Sequence, residues 1–297
     1  MTAAVEAVAL TKRYRRRVAL AECTFSIPAG KVVGLVGPNG AGKTTLLHLA
    51  VGLLRPSAGR IEVLGRRPAQ DTEQLARVGF VAQSTPLYAG MSVGDHLRLG
   101  SWTNPSWDGE LARRRIGDLD LDPAQKAGTL SGGQRAQLAL TLAIGKRPEL
   151  LVLDEPVASL DPLARREFLQ ALMAVVVEHG VSVLLSSHLV ADLERACDYL
   201  VVLVGSRVQV AGEIDDLLAT HHRLTGPRRD GLRPPRDWEV VEEASVGRQQ
   251  TLVVRHESPV LDPAWEATPL DLEDLVLAYM GRAAGEDRRR PLAGVPS

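Results

Sequence analysis

The chain has little sulfur, few aromatic rings and no surplus of charge. Only 2 of its 297 residues are cysteines, and aromatic residues make up 4%. Cys23 and Cys197 match no metal-ligand spacing, so they are expected to be buried free thiols in a reducing cytosol. The 35 Lys and Arg residues against 36 Asp and Glu leave a net charge of −1. That balance provides no whole-protein field for nucleic acid or a membrane surface. No apolar run approaches the ~20 residues that cross a bilayer. The aliphatic stretches 171–177 and 200–204 suit buried helix faces or strands. The basic cluster Lys12-Arg13-Tyr14-Arg15-Arg16-Arg17 follows the first apolar stretch, which is the wrong order for a secretory signal. A membrane role would therefore come through another chain.

What is present is a chain with 45% hydrophobic residues, enough for one sizeable domain and an appendage. Residues 5–10 and 18–27 read as β-rich, followed by the turn Pro28-Ala29-Gly30. A short apolar strand at 31–36 precedes a helix expected over 43–54, stopped by Pro56. Another strand is expected at 59–65. Between 84 and 147 the period becomes helical, and strand signals return at 150–153, 181–186 and 199–204. Alternating strands and helices indicate an α/β fold with a mainly parallel sheet covered on both faces. Gly205-Ser206 before residues 207–210 reads as a closing hairpin. Prolines and arginines mark 223–237 as a linker. Residues 238–242 and 250–256 pair as a hairpin, 270–280 form a short amphipathic helix, and 282–297 read as a disordered tail.

Two local patterns carry chemistry. Gly37-Pro38-Asn39-Gly40-Ala41-Gly42-Lys43-Thr44 fits G-x-x-x-x-G-K-[ST] between a strand and a helix. Its glycines let consecutive N–H groups face one concavity, and the helix adds its positive end. Lys43 is expected to reach the β- and γ-phosphates of ATP, and the Thr44 hydroxyl to hold Mg²⁺, with Thr45 beside it among the nucleotide-binding residues. The apolar strand 150–153 ends in Asp154-Glu155. Running parallel to the first strand, it would place Asp154 near the metal and leave Glu155 as general base for the attacking water.

Leu130-Ser131-Gly132-Gly133-Gln134 is the most specific string. It resembles the signature of the ABC ATPases and precedes a helical stretch, as that signature does. The resemblance covers about residues 4–220, with the family's elements in order. It implies a P-loop NTPase core with an N-terminal antiparallel β subdomain and a helical insert at about 84–147, the ATPase domain itself spanning 1–222; beyond the resemblance, residues 238–281 read as a small C-terminal α+β extension. In the family, the signature's Ser131, Gly132, Gly133 and Gln134 close over ATP held by an opposite subunit. Gln83 matches the Q-loop glutamine that senses Mg²⁺ and water. Asp161, in Ser159-Leu160-Asp161, matches the D-loop at the dimer interface. His188 matches the switch histidine on the γ-phosphate. Tyr14 matches the aromatic that stacks on adenine, an ordinary surface tyrosine being the plainer alternative. Val157 departs from the family's usual Thr after Asp-Glu-Pro.

The resemblance implies an ATP-hydrolysing subunit of an ABC transporter, using ATP and Mg²⁺ on the cytoplasmic face of the cell membrane. Its partners would be a separate permease, of the exporter type suggested by Asn104-Pro105-Ser106-Trp107-Asp108, and an identical or related ATPase subunit. Trp102 and Trp107, each taken alone, better fit local packing of a long loop. A soluble ABC-type ATPase acting on nucleic acid or the ribosome is the other class. It is disfavoured by the single phosphate loop, the absence of sustained heptads and the near-neutral charge.

Overall fold

Residues 32–36 are apolar at every position but one glycine, and all five are buried, which is the pattern of a strand covered on both faces. Alternation along it sends Val32 and Val36 into one core and Val33 and Leu35 into the other. The computed structural model describes residues 3–228, 235, 238–256 and 262–289, with side chains through residue 282.

The chain begins as a hairpin of β1 (Ala3–Tyr14) and β2 (Arg17–Pro28), then enters the central sheet through β3 (Val32–Val36). Helix α1 (Lys43–Ala50) follows, then β4 (Ala58–Val63), α2 (Thr72–Ala76) and β5 (Val78–Val81). The insert contains α3 (Val93–Thr103), α4 (Gly109–Asp118) and α5 (Gly132–Gly145). The chain returns through β6 (Leu150–Asp154), α6 (Pro162–His179), β7 (Ser182–Ser187), α7 (Val190–Glu194), β8 (Tyr199–Val204) and β9 (Arg207–Glu213). The C-terminal part is α8 (Ile214–Thr220), β10 (His221–Pro227), β11 (Glu239–Val246), β12 (Gln249–Arg255), β13 (Glu266–Pro269) and α9 (Leu272–Arg289).

The central sheet has the order β5-β6-β7-β3-β8-β9, parallel except for the edge strand β9, which pairs antiparallel with β8. An antiparallel sheet β2-β1-β4 packs with α1 against one face. On the other face lie α5, α6, α7 and α9. The helical insert has a core of its own around Val93, Ile116, Leu121 and Leu138. Trp107 packs edge-on against the glycine faces of Gly100 and Gly145, while Trp102 stays 78% exposed. Cys23 is buried and Cys197 half-buried, and both are free.

Three sequence expectations shift. Helix α1 ends at Ala50 rather than 54. The cause is local: the Gly52 N–H turns to Leu49 O in a tighter bond, leaving the α-helical ladder. Residues 223–227 belong to β10, not to a linker, and β10 sits inside the antiparallel sheet β11-β12-β10-β13. The expected hairpin is the β11–β12 pair of that sheet. Helix α9 continues through Arg289, into the stretch expected to be disordered. Leu272, Leu275, Val276 and Tyr279 are all at most 1% exposed and share the core with α7 and β8. Each such side chain contributes roughly 1.5–3 kcal/mol, so the helix is nucleated by packing and extends from there at little cost. Residues 290–297 of that stretch lie outside the described residues.

Candidate active site

Strand β3 ends at Val36, and the chain turns through residues 37–42 into α1. Close approach explains two of the glycines. A Cβ on Gly37 would stand 2.0 Å from Leu203 O, and one on Gly42, at φ +114, would stand 2.4 Å from Ala19 O. Neither backbone oxygen can yield, so the loop is pressed between β8 and β2. Lys43 is 5% exposed. Its Nζ donates to Gly37 O at 2.8 Å and Pro38 O at 3.5 Å, and stands 3.3 Å from Glu155 Oε1. These partners hold a buried ammonium that would otherwise be costly to desolvate.

The acidic wall comes from sheet register. Strands β6 and β7 run parallel with Asp154 opposite Ser186. Ser186 Oγ donates to Asp154 Oδ1 at 2.8 Å and accepts the Glu155 N–H at 2.9 Å. Glu155 has φ +43, a left-handed conformation that costs a non-glycine residue about 1 kcal/mol or more. The bond to Ser186 helps hold it there. The carboxylate then reaches both ways: Oε1 toward Lys43, and Oε2 accepting from His188 Nδ1 at 3.1 Å. Three groups, each following a different strand of the central sheet, thus form one chain across the site.

They line a cavity of about 620 Å³, within the range of small-molecule sites. Of the sequence-predicted residues, Tyr14, Asn39, Gly40, Gly42, Lys43, Thr44, Thr45, Gln83, Glu155 and His188 line it. Gly37, Pro38 and Ala41 are in the loop but not on the cavity wall, and Asp154 lies behind it, 1% exposed. Ser131, Gly132, Gly133, Gln134 and Asp161 are not brought to this cavity. Ser131 caps α5 in a reciprocal box with Gln134, bonded at 3.2 and 2.9 Å. Asp161 caps α6, accepting from the Leu163 and Ala164 N–H groups at 3.0 Å each.

Reasoning from sequence missed Arg17, Ala19 and Ala158 on the cavity wall, and Ser186 behind it. Ser186 left a legible sign: a hydroxyl ending an apolar run, fully buried. The hydroxyl of Thr44, the side-chain carbonyl of Gln83 and the carboxylate of Asp154 are hard oxygen donors, the set Mg²⁺ prefers. Among the described residues no group of three or more His, Cys, Asp and Glu could hold a metal by itself.

The sequence profile of the family described as "ABC transporter" matches residues 20–158. The phosphonates import ATP-binding protein PhnC 2 of Pseudomonas syringae pv. syringae is 34% identical over 73% of this chain and 87% of its own length. The chain belongs to the ABC transporter ATP-binding proteins. The Nod factor export ATP-binding protein I of Neorhizobium galegae is also 34% identical, over 71% of this chain, which spans only 62% of that relative. Among solved structures, an ATP-binding subunit of an ABC transporter superposes with a TM-score of 0.65 at 28% identity, covering 72% of this chain and 92% of the other. This ABC ATPase therefore binds ATP, and the loop 37–44 stands at the cavity beside Lys43. Among the described residues no helix is long and apolar enough to cross a membrane.

Proposed function

We propose that this ABC ATPase hydrolyses Mg·ATP in a site shared between two ATPase subunits and couples the cycle to export through a separate permease. The observation that carries the reading is the split between the two halves of the motif set. Lys43, Glu155 and His188 meet at one cavity, while Ser131–Gln134 cap a helix away from it. A second subunit, identical or related, set head to tail would bring its own Ser131 and Gly133 to the phosphates of ATP held here. The α5 N-terminus, with the Gly132 and Gly133 N–H groups outside the capping box, suits that anion.

In this reading Tyr14 stacks on adenine and the loop 37–44 cradles the phosphates. Lys43 exchanges its contacts with the loop carbonyls and Glu155 for the β- and γ-phosphate oxygens. Glu155 takes the proton from the attacking water as the oxygen–phosphorus bond to the leaving diphosphate breaks. His188 donates to the γ-phosphate and hands Glu155 its orientation. Mg²⁺, held by Thr44 and through water by Asp154, with Gln83 beside it, would supply neutralisation of charge on the phosphate oxygens. Asp161 lies across the subunit boundary. Binding energy from ATP touching both subunits is what makes closure conditional on nucleotide.

A groove of about 640 Å³ between the residues after Gln83 and the helical insert supports docking of a permease. Leu53, Leu75 and Tyr88 stand at it, 62%, 46% and 65% exposed. The export direction follows the likeness to the Nod factor export protein and the Asn104–Asp108 segment; the likeness to a phosphonate import protein argues the other way. The test is co-purification from membranes. A complex with a hydrophobic permease, lost on Leu75→Glu with ATP binding retained, supports the reading. A wholly soluble complex carrying RNA overturns it.

A further inference from the structure

The end of the first hairpin is joined to the phosphate loop by one side chain. Tyr14 and Arg17 are cross-strand partners, separated by the turn Arg15-Arg16 with Arg15 at φ +44. Arg17 Nη2 donates to Gly40 O at 2.8 Å. Both Tyr14 and Arg17 line the active-site cavity, together with Gly40 itself. The Tyr14 ring also has Lys12 over it, whose Nζ stands 5.3 Å from the ring centroid and donates to Arg55 O at 2.8 Å. The ring is thus carried on a two-residue turn whose outer end is pinned to the loop that holds phosphate. Hairpin ends are otherwise the places where strand pairs fray.

We propose that Arg17 is a positioning residue that fixes the spacing between the Tyr14 ring and the phosphate loop, so that the site favours a nucleoside triphosphate over a bare triphosphate. A ligand of base, ribose and triphosphate has a bounded span, and its rotatable bonds cost entropy to order. It gains most from Tyr14 and from the loop together when the two are held within that span beforehand. Loss of the Arg17–Gly40 bond leaves each half intact and uncouples them. The alternative role for an arginine at this cavity is a direct phosphate ligand, whose loss weakens every polyphosphate equally. The proposal rests on the reading of Tyr14 as the base platform.

The experiment is calorimetry of the full chain with ATP and with inorganic tripolyphosphate, Mg²⁺ omitted to prevent turnover. The variants are Arg17→Met, Arg17→Lys, Tyr14→Ala and the double variant Tyr14→Ala/Arg17→Met, each checked by thermal melting. Arg17→Met is expected to weaken ATP about fivefold and tripolyphosphate less than about twofold, with Arg17→Lys, which still donates to Gly40 O, near wild type. In the Tyr14→Ala background the further loss from Arg17→Met should vanish. Equal weakening of both ligands, or an undiminished effect of Arg17→Met in the Tyr14→Ala background, overturns the positioning role. So does an Arg17→Met variant with wild-type ATP affinity. If Tyr14→Ala alone leaves the preference for ATP over tripolyphosphate unchanged, the base-platform reading fails and takes the proposal with it.

Discussion

Ser186 holds Glu155 by its main chain rather than by its carboxylate: the hydroxyl accepts the Glu155 N–H at 2.9 Å while donating to Asp154 at 2.8 Å. One buried oxygen therefore fixes both acidic residues at the end of β6. Ser186→Ala leaves the Asp154 oxygen and the Glu155 N–H without that partner, a cost of about 1–3 kcal/mol. ATPase activity should fall roughly tenfold, with ATP affinity within about twofold of wild type, because the loss touches the base and not the phosphate loop. Steady-state turnover and calorimetry on the same preparation separate the two.

Glu155 lies between Lys43 at 3.3 Å and His188 at 3.1 Å. Glu155→Gln keeps the side-chain shape and removes the proton acceptor. Turnover should drop by about 10²- to 10⁴-fold, while ATP still binds. Size-exclusion chromatography with Mg·ATP should then show an accumulated dimer. Normal turnover in this variant excludes Glu155 as the base.

Lys43→Ala removes the ammonium that is buried against Gly37 O and Glu155. ATP binding should be lost to the limit of detection in calorimetry. A variant with near-wild-type affinity would show that the loop 37–44 is not the phosphate site.

His221 ties the C-terminal sheet to the body of the protein. Its Nδ1–H donates to Leu217 O at 2.7 Å, so Nε2 is the acceptor for the Tyr279 O–H at 2.9 Å. Burial pushes the His221 pKa below its ordinary value of 6.5. The unfolded chain takes up this proton more readily than the folded one, so stability is full above about pH 6.5 and falls as pH drops toward the folded pKa. Thermal melts between pH 5 and 8 should show that loss, and His221→Gln should reduce it. Burial also raises the Tyr279 pKa to about 12. Tyr279→Phe should cost about 1–3 kcal/mol at neutral pH by leaving Nε2 buried without a donor.

The residues that gather at the cavity were readable because they lie in short, local strings. Gly37–Thr44, Asp154-Glu155, Gln83 and His188 each stand at a strand end, and strand ends are visible as apolar runs that stop. Arg17 was hidden in a basic run that reads as solvated charge, since its partner carbonyl belongs to Gly40, 23 residues on. Strand β10 was hidden for a similar reason. Its arginine and proline suggested a connector, while its partners are β12, where His221 faces Arg255, and β13, where Thr225 faces Glu266. Helix α9 outran its sequence signal because the helix-forming nucleus is supplied by Leu272, Leu275, Val276 and Tyr279 buried against other elements.

By itself, the order of residues determined that a G-x-x-x-x-G-K-[ST] loop, an acidic strand end and a Ser131 motif opening a helix exist in this chain, because glycine placement, apolar runs and helix starts act over a few residues. Only the tertiary structure decided which of them meet. Parallel register across β6, β7 and β3 sets Glu155 against both Lys43 and His188. The same packing leaves Ser131 at the start of a different helix, off the cavity. Such pairings depend on how sheets align over separations of tens of residues, and no local pattern encodes that alignment.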